Sequence, residues 1–164
     1  MKVLRQIKPR AQFLADFSTD EVKRFIENPS SIPGAKEKLS LEQQGYALHV
    51  TQEIERVRGT VMALEKGDLT AVGKLLVESH QSSRNLFHNS CPELDFLVDH
   101  LIKLPGVYGA RLTGGGFGGA VMALTTPDFS PLVAAPVTAA YAKQFKHEPV
   151  VFTTRTGPGA RVLK

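Results

Sequence analysis

The pattern of apolar and polar positions changes once along the chain, near Pro105. Before this residue the apolar positions recur at helical spacing, and after it short apolar runs alternate with glycine-rich turns. The longest helical stretch is predicted over residues 36–66. Its apolar residues follow alternating spacings of four and three, which places them on one stripe of a helix: Val50, Ile54, Val57, Val61 and Leu64.

Capping and breaking residues predict where the helices begin and end. Ser18 and Glu21 have the spacing of a capping box. Asp68 can cap a helix, and Pro92 is a favourable first helical residue. Pro136 is expected to kink or split the last helix. Together these signals predict helices over residues 19–27, 36–66, 69–88, 92–103 and 129–145.

The apolar runs after Pro105 predict a small sheet. Residues 107–113 and 119–125 read as two strands joined by a glycine-rich turn, residues 149–155 as a third strand, and residues 160–163 as a plausible fourth. Helices grouped in one half and strands in the other indicate an α+β fold with a mostly antiparallel sheet of three to four strands. No break in composition divides the chain, so we expect a single domain over residues 1–164.

Composition narrows the class of protein. Apolar residues make up 42% of the 164 residues and charged residues 22%, which is typical of a globular protein. The net charge of +4 is spread without a dense basic block, so we expect no nucleic-acid partner. No apolar run reaches the ~18 residues of a membrane span, and the charged start does not look like a signal peptide. One cysteine, Cys91, excludes an intrachain disulfide, and we expect a cytoplasmic location.

The strongest local feature is the run GGGFGG over residues 114–119, preceded by Arg111 and Thr113. Glycine permits positive φ and close backbone approach. Successive exposed backbone N–H groups can form a concavity that holds an anion such as phosphate. The run lacks the sequence of a Walker A loop and the strand-to-helix context of a Rossmann fingerprint. On spacing alone it could also be a simple hairpin turn.

A second feature lies on the helix predicted over residues 69–88. Ser79 and Ser83 are neighbours at i and i+4, where two small hydroxyls allow another backbone to pass close by or offer donors to the glycine run. His80 and Arg84 share the adjacent stripe, which a solvated face would also explain. Cys91 is expected to be a packing or helix-start residue. The five histidines show no spacing for a metal site, so no metal ligand is predicted.

These segments together resemble one family. The run from Ala110 to Gly119 resembles the third motif of the GHMP kinases in its galactokinase form, and the segments 76–84 and 90–95 are similar to galactokinase sequence upstream of it. The resemblance implies the fold of the GHMP kinase C-terminal domain, which is ferredoxin-like. It also implies that the complete enzyme transfers the γ-phosphoryl group of ATP, with Mg²⁺, to the C1 hydroxyl of a galactose-type sugar.

By position in that motif, a phosphate-binding or substrate-binding role at the cleft between two lobes is implied for one set of residues, and a supporting role for a second set. The first set is Arg111, Thr113, Gly114, Gly115, Gly116, Phe117, Gly118 and Gly119. The second set is Ser79 and His80.

The chain also departs from the family. We find no phosphate loop, no catalytic Asp in its expected context and no sugar-binding motif, so no catalytic residue is predicted here. Leu48 stands where the family often has Arg, and Ser83 where it usually has Leu. We therefore expect the chain alone to be inactive and to bind no cofactor tightly. Its expected partner is an N-terminal kinase lobe, or a second copy through the lobe-facing surface.

Two other functions stay open at this stage. One is a non-catalytic binding or regulatory module built on a kinase-like lobe, whose uncovered apolar surface would mark an interaction site. The other is an RNA-binding α+β domain, which the basic pI of about 9.3 permits. The predicted strands carry mainly Val, Ala, Leu and Thr, without the interleaved aromatic and basic residues that such domains use.

Overall fold

A computed structural model describes residues 2–29, 37–160 and 162. Within them lie five α-helices and one β-hairpin. One-turn 3-10 helices occupy Leu4–Gln6, Leu14–Asp16 and Pro131–Ala134, and a π-helical turn, Ser83–Phe87, follows α3. The order of the main elements is α1 (Thr19–Glu27), α2 (Leu41–Glu65), α3 (Leu69–Ser82), α4 (Pro92–Leu101), β1 (Val107–Thr113), β2 (Ala120–Thr125) and α5 (Ala135–Phe145).

The predicted helix starts are largely confirmed by their caps. Ser18 accepts from the Glu21 amide, and the Glu21 carboxylate accepts from the Ser18 amide, as the capping box requires. Asp68 caps α3 by accepting from the Ala71 amide. The long helix α2 begins at Leu41 rather than near residue 36, because Ser40 and Gln43 form a second capping box.

The last predicted helix is split, as Pro136 indicated. A 3-10 turn over Pro131–Ala134 leads into α5, and Pro136 lies in the first turn of α5, where its missing N–H costs no helical hydrogen bond. The α-helical part of the helix predicted over residues 69–88 ends at Ser82. The last turn of that helix is π-helical and is followed by His88 in the left-handed region, with φ of 56°.

The helix α3 lies directly on strand β1 through a close approach of two backbones. A Cβ atom built on Gly73 would lie 2.0 Å from the Tyr108 carbonyl oxygen, and one built on Gly109 would lie 2.0 Å from the Gly73 carbonyl oxygen. Only glycine fits at both positions. Around this contact the buried apolar residues include Val72, Leu94, Val98, Ala110 and Leu112.

A second apolar cluster fills the N-terminal part of the chain. It joins the first residues, α1 and the start of α2. Its buried members are Leu4, Ala11, Phe17, Val22, Phe25, Leu39 and Ala47. Leu48, one of the departures from the family pattern, packs against this cluster.

The α+β class and the antiparallel pairing are confirmed, but the number of strands is not. Among the described residues the sheet has two strands, β1 and β2, paired from Val107 with Thr125 to Thr113 with Ala120. The strand predicted over residues 149–155 is wrong: Val150 is 91% exposed and Phe152 80% exposed. Their side chains favour a strand, but a strand also needs a neighbouring edge to pair with. The strand predicted over residues 160–163 falls partly outside the described residues, and Ala160 and Val162 are not in a strand.

The apolar residues predicted for one stripe of α2 do share a face, but that face is open along much of its length. We call this set, Val50, Ile54, Val57, Val61 and Leu64, the α2 apolar stripe. Val57 is 62% exposed, Val61 50% and Leu64 54%. The buried residues of α2 are instead small ones: Gly45, Ala47, Thr51 and Ala63. No helix in the described part of the chain combines the length and apolar character needed to cross a bilayer.

Candidate functional site

The glycine run forms the whole connection between β1 and β2. Thr113 and Ala120 are the last paired residues, so residues 114–119 make up the turn. Gly114, Gly116 and Gly118 have φ of 73°, 84° and 99°, which glycine adopts at little cost. Phe117 also has positive φ, at 56°, and its ring is 78% exposed. A bulky residue in the left-handed region is uncommon, and such strain concentrates at functional sites.

Asn89 holds the loop from behind. The Phe117 amide donates to the Asn89 carbonyl oxygen at 2.8 Å, and Asn89 Nδ2 donates to the Gly115 carbonyl oxygen at 3.1 Å. A Cβ atom on Gly116 would lie 2.0 Å from the Asn89 carbonyl oxygen, so the two backbones touch there. These contacts with Asn89 therefore hold the loop from one side.

Several amides on the loop have no partner among the described residues. Phe117 donates to Asn89, and Gly119 donates to the Gly116 carbonyl oxygen at 3.3 Å. The amides of Gly115, Gly116 and Gly118 have no hydrogen bond in the described part of the chain, and Gly115 and Gly118 are exposed. Unpartnered amides close together on a glycine loop suit an anion such as phosphate.

Arg111 and Thr113 occupy the end of β1 on one face of the hairpin, since side chains two apart share a face. Thr113 is exposed beside the loop. The Arg111 guanidinium turns back along the strand, where Nε donates to the Leu112 carbonyl oxygen at 2.9 Å. The pKa of His49 is lowered chiefly by burial and also by the nearby charges of Arg56 and Arg111. The guanidinium of Arg111 thus lies close enough to α2 to affect His49.

His80 is fully buried and contacts β1 just before the loop. Its Nδ1 accepts from the Leu112 amide at 3.3 Å, and its Nε2 lies 3.2 Å from Asp95 Oδ1, outside good hydrogen-bond geometry. Burial lowers the pKa of His80, although the Asp95 and Asp99 carboxylates oppose this. The imidazole is therefore neutral, with its proton on Nε2, and it joins α3 to β1.

The carboxylate of Asp95 is shared among three side chains. Ser90 Oγ donates to Asp95 Oδ1 at 2.6 Å, and Arg84 Nε pairs with Asp95 Oδ2 at 3.0 Å. Together with His80, these contacts tie the end of α3 to the start of α4. Cys91 lies at the N-cap position of α4, before Pro92, which agrees with the prediction of a helix-start residue. Burial raises the pKa of its thiol.

Ser79 faces a different neighbour from the glycine loop. Its Oγ donates to Glu53 Oε2 at 2.7 Å, and Arg56 Nε donates to Glu53 Oε1 at 2.5 Å. Burial alone would raise the pKa of Glu53, but the hydrogen bonds from Ser79 and Arg56 lower it overall. Nearby, His49 Nδ1 and Ser82 Oγ are 2.9 Å apart. Ser79 therefore connects α3 to α2.

The structure brings part of the predicted site together. The glycine run, Thr113 and His80 lie at or directly behind one hairpin, whereas Arg111 and Ser79 reach toward α2. Sequence reasoning missed Asn89, which lies 26 residues before Gly115. Its position before the helix signal of Pro92 predicted only a loop residue, and no local pattern reveals a contact across that separation.

The residues present fit the phosphate end of ATP better than a metal ion. The unpartnered amides of the loop can donate hydrogen bonds to negatively charged oxygens. Among the described residues, no three side chains of His, Cys, Asp or Glu gather in a way that could hold a metal ion. No residue of this chain is therefore assigned to Mg²⁺.

Comparison with known proteins gives a consistent picture. Residues 61–143 match the family described as GHMP kinases C terminal. The galactokinase of Bos taurus is 36% identical over 159 residues, which is 97% of this chain and 38% of that protein. The galactokinase of Thermotoga maritima is 40% identical over 129 residues, or 77% of this chain and 37% of that protein. The chain thus spans well under half the length of these relatives.

A solved structure shows the same fold. The crystal structure of Lactococcus lactis galactokinase complexed with galactose matches with a TM-score of 0.72 at 28% sequence identity. The match covers 88% of this chain and 36% of the Lactococcus chain.

Proposed function

Because this chain belongs to the GHMP kinase family, through its C-terminal domain, we propose that it is the C-terminal lobe of a galactokinase-like sugar kinase. In the complete enzyme this lobe would support the phosphates of ATP while the γ-phosphoryl group passes to the C1 hydroxyl of a galactose-type sugar. Phosphoryl transfer depends chiefly on positioning and on stabilising charge, which a rigid loop of backbone amides can supply.

One observation carries this proposal: the 114–119 loop has free amides on one side and fixed contacts on the other. Asn89 holds the loop directly, and His80 holds Leu112, two residues before it. A simple hairpin turn would not need a buried histidine and asparagine behind it. The arrangement is suited to present Gly115, Gly116 and Gly118 to phosphate oxygens without rearrangement.

The two titratable groups that support the loop, His80 and Asp95, are not available to accept the proton of a sugar hydroxyl. His80 is fully buried and its Nδ1 already accepts from Leu112. Asp95 is engaged by Ser90 and Arg84. We therefore assign the catalytic carboxylate, the phosphate loop and the Mg²⁺ ligands to an N-terminal lobe, and we expect this chain alone to bind ATP weakly.

The α2 apolar stripe is the proposed docking face for that lobe. Its residues are apolar and at least half exposed along the second half of the helix, a pattern that marks an interaction surface. The relatives are more than twice as long as this chain, so a second lobe is available to cover the stripe. An N-terminal lobe is therefore the occupant that we propose, and a second copy of the chain is the competing outcome.

A coupled assay with MgATP and galactose tests the proposal. We expect no turnover from the chain alone and measurable turnover after it is mixed with the N-terminal lobe of a galactokinase. Robust turnover by the chain alone would contradict the claim that the catalytic group lies elsewhere. Failure of every galactokinase N-terminal lobe to bind the chain would contradict the assignment of the stripe.

The exposed stripe also favours a second candidate, a non-catalytic binding or regulatory module. Calorimetry with galactose, galactose 1-phosphate and MgATP separates the two. A stable homodimer that binds none of these compounds favours the module. We further propose a cytoplasmic location, which the free thiol of Cys91 and the resemblance to galactokinases support.

A further inference from the structure

The segment between α3 and α4 delivers Asn89 against the glycine loop. The π-helical turn Ser83–Phe87 ends with His88 in the left-handed region, which reverses the chain. The Asn89 amide then donates to the Ser83 carbonyl oxygen at 3.3 Å, and this bond fixes the Asn89 backbone to the end of the helix. π-helical turns occur frequently at functional sites, where they re-aim nearby residues.

Asn89 binds two successive peptide groups of the loop, the first through its C=O and the second through its N–H. The carbonyl of the Gly115–Gly116 peptide points at Asn89 and accepts from Nδ2. The N–H of the next peptide, which belongs to Phe117, points at the Asn89 carbonyl oxygen. In a trans peptide the C=O and N–H point in opposite directions. The Gly116 N–H therefore points away from Asn89.

Of these two contacts, only one depends on the side chain at position 89. Any residue there could accept from Phe117 through its backbone, but the bond to the Gly115 carbonyl needs the Nδ2 donor. Without it, a peptide between two glycines can rotate at little steric cost. Rotation would turn the Gly116 N–H inward and place the Gly115 carbonyl oxygen on the side where an anion would bind.

The rest of the Asn89 side chain contributes little to folding. Asn89 is 7% exposed, and its Oδ1 is buried without a hydrogen bond in the described part of the chain. A buried, unpaired amide oxygen is unfavourable, and an apolar residue of similar shape would avoid that cost. The effect of the side chain is therefore concentrated in its single bond to the loop.

We propose that Asn89 is a positioning residue that locks the Gly115–Gly116 peptide with its N–H facing the phosphate. This inference rests on the proposed function, because the lock matters for activity only if the loop binds phosphate. The residue would act through the backbone of the loop and would not touch the ligand itself.

The test uses inorganic pyrophosphate as the probe and follows the loop amides of the ¹⁵N-labelled chain by NMR. In the wild type, pyrophosphate should shift the Gly116 amide. Asn89→Leu keeps a similar shape but removes the donor, so we expect pyrophosphate affinity to fall by up to about tenfold, since one hydrogen bond is worth up to about that factor. Asn85→Leu is the control, because Asn85 bonds Gln81 on the same turn and does not contact the loop.

Asn89→Asp adds a readout that a purely structural role would not produce. At pH 8 its carboxylate faces the Gly115 carbonyl without a proton to donate, so the lock is lost. Burial should raise the pKa of the introduced carboxyl, and near pH 5 its O–H can donate to Gly115 and restore the lock. Affinity relative to the wild type at the same pH should therefore recover as pH falls. The wild type, measured at the same pH, corrects for the effect of pH on pyrophosphate and on the nearby His80, His88 and Asp95. Asn85→Asp corrects for the added charge.

The outcomes separate the two proposals. Wild-type affinity in Asn89→Leu, together with no recovery in Asn89→Asp at low pH, overturns the role of Asn89. If the wild type does not bind pyrophosphate but the Gly116 amide still moves in Asn89→Leu and returns in Asn89→Asp at low pH, the lock stands and the phosphate-binding role of the loop fails.

Discussion

At the scale of single residues, the glycines of the loop are not equivalent. Gly115 has open space around its Cα and no positive φ, Gly118 has positive φ but open space, and Gly116 combines positive φ with the Asn89 backbone 2.0 Å from where a Cβ would lie. Within four positions, one glycine is required by neither its backbone nor its surroundings, one by its backbone conformation alone, and one by both.

Alanine substitutions should separate these demands. We expect Gly115→Ala to change the free energy of unfolding by less than about 0.5 kcal/mol, and Gly118→Ala to lower it by about 1 kcal/mol because of the left-handed backbone. Gly116→Ala should lower it by about 3 kcal/mol, since overpacking against a backbone adds to that strain. Urea unfolding measures all three. Equal effects at positions 115 and 116 would contradict the contact with Asn89.

His80 predicts a dependence of stability on pH. Burial holds its pKa below the ordinary value near 6.5, so the unfolded chain binds a proton at a pH where the folded chain does not. The free energy of unfolding should therefore fall as pH decreases from about 7 toward 5. His80→Asn keeps an acceptor for the Leu112 amide but cannot titrate, and its decline should be shallower.

The comparison uses urea unfolding at pH 7.5, 6.5 and 5.5. His49, whose pKa is also lowered chiefly by burial, should leave part of the slope in place. The control His88→Asn changes an exposed residue and should keep the wild-type slope. An undiminished decline in His80→Asn would show that the buried imidazole is not its source.

At the scale of elements, the packing of α3 on β1 places the loop. Gly73 and Gly109 let the two backbones touch, and His80 adds one hydrogen bond two turns further along the helix. The loop begins directly after β1, so its position relative to α3 and Asn89 depends on this contact. A helix that stood further from the strand would also break the contacts of the loop with Asn89.

Two glycine substitutions in helices should change the free energy of unfolding in opposite directions. Gly73→Ala introduces a Cβ 2.0 Å from the Tyr108 carbonyl oxygen and should lower the free energy of unfolding by about 3 kcal/mol. Gly59→Ala, in α2, meets only Leu75 at an ordinary 3.5 Å and should raise it by about 0.5 kcal/mol through helix propensity. Chemical denaturation measures both. A stabilising Gly73→Ala would contradict the close packing of α3 on β1.

At the scale of the whole molecule, two of the described segments each expose more than one large apolar side chain. The α2 apolar stripe is one, and the segment 149–155, with Val150 and Phe152 exposed, is the other. The sequence predicted one apolar stripe of a helix for the first and a strand for the second. Their exposure agrees with a lobe that meets further polypeptide, as the relatives of more than twice its length contain.

A charge on the stripe should separate folding from association. Val61→Glu lies on an exposed part of α2, so we expect less than about 0.5 kcal/mol change in the free energy of unfolding. Binding to an N-terminal galactokinase lobe should weaken at least about tenfold, because a charge would be buried without a partner. Leu132→Glu, on the exposed 3-10 turn before α5, is the matched control. Equal binding by the two variants would place the docking surface elsewhere.

The sequence by itself determined the class of fold, most helix boundaries and the glycine hairpin, because capping residues, prolines and apolar spacing act over a few neighbouring positions. It also carried the resemblance that identifies the family. Only the tertiary structure decided that residues 149–155 do not form a strand, that the stripe on α2 is open, and that Asn89 holds the loop. Each of these depends on what lies beside a segment in space, across separations that no local pattern encodes.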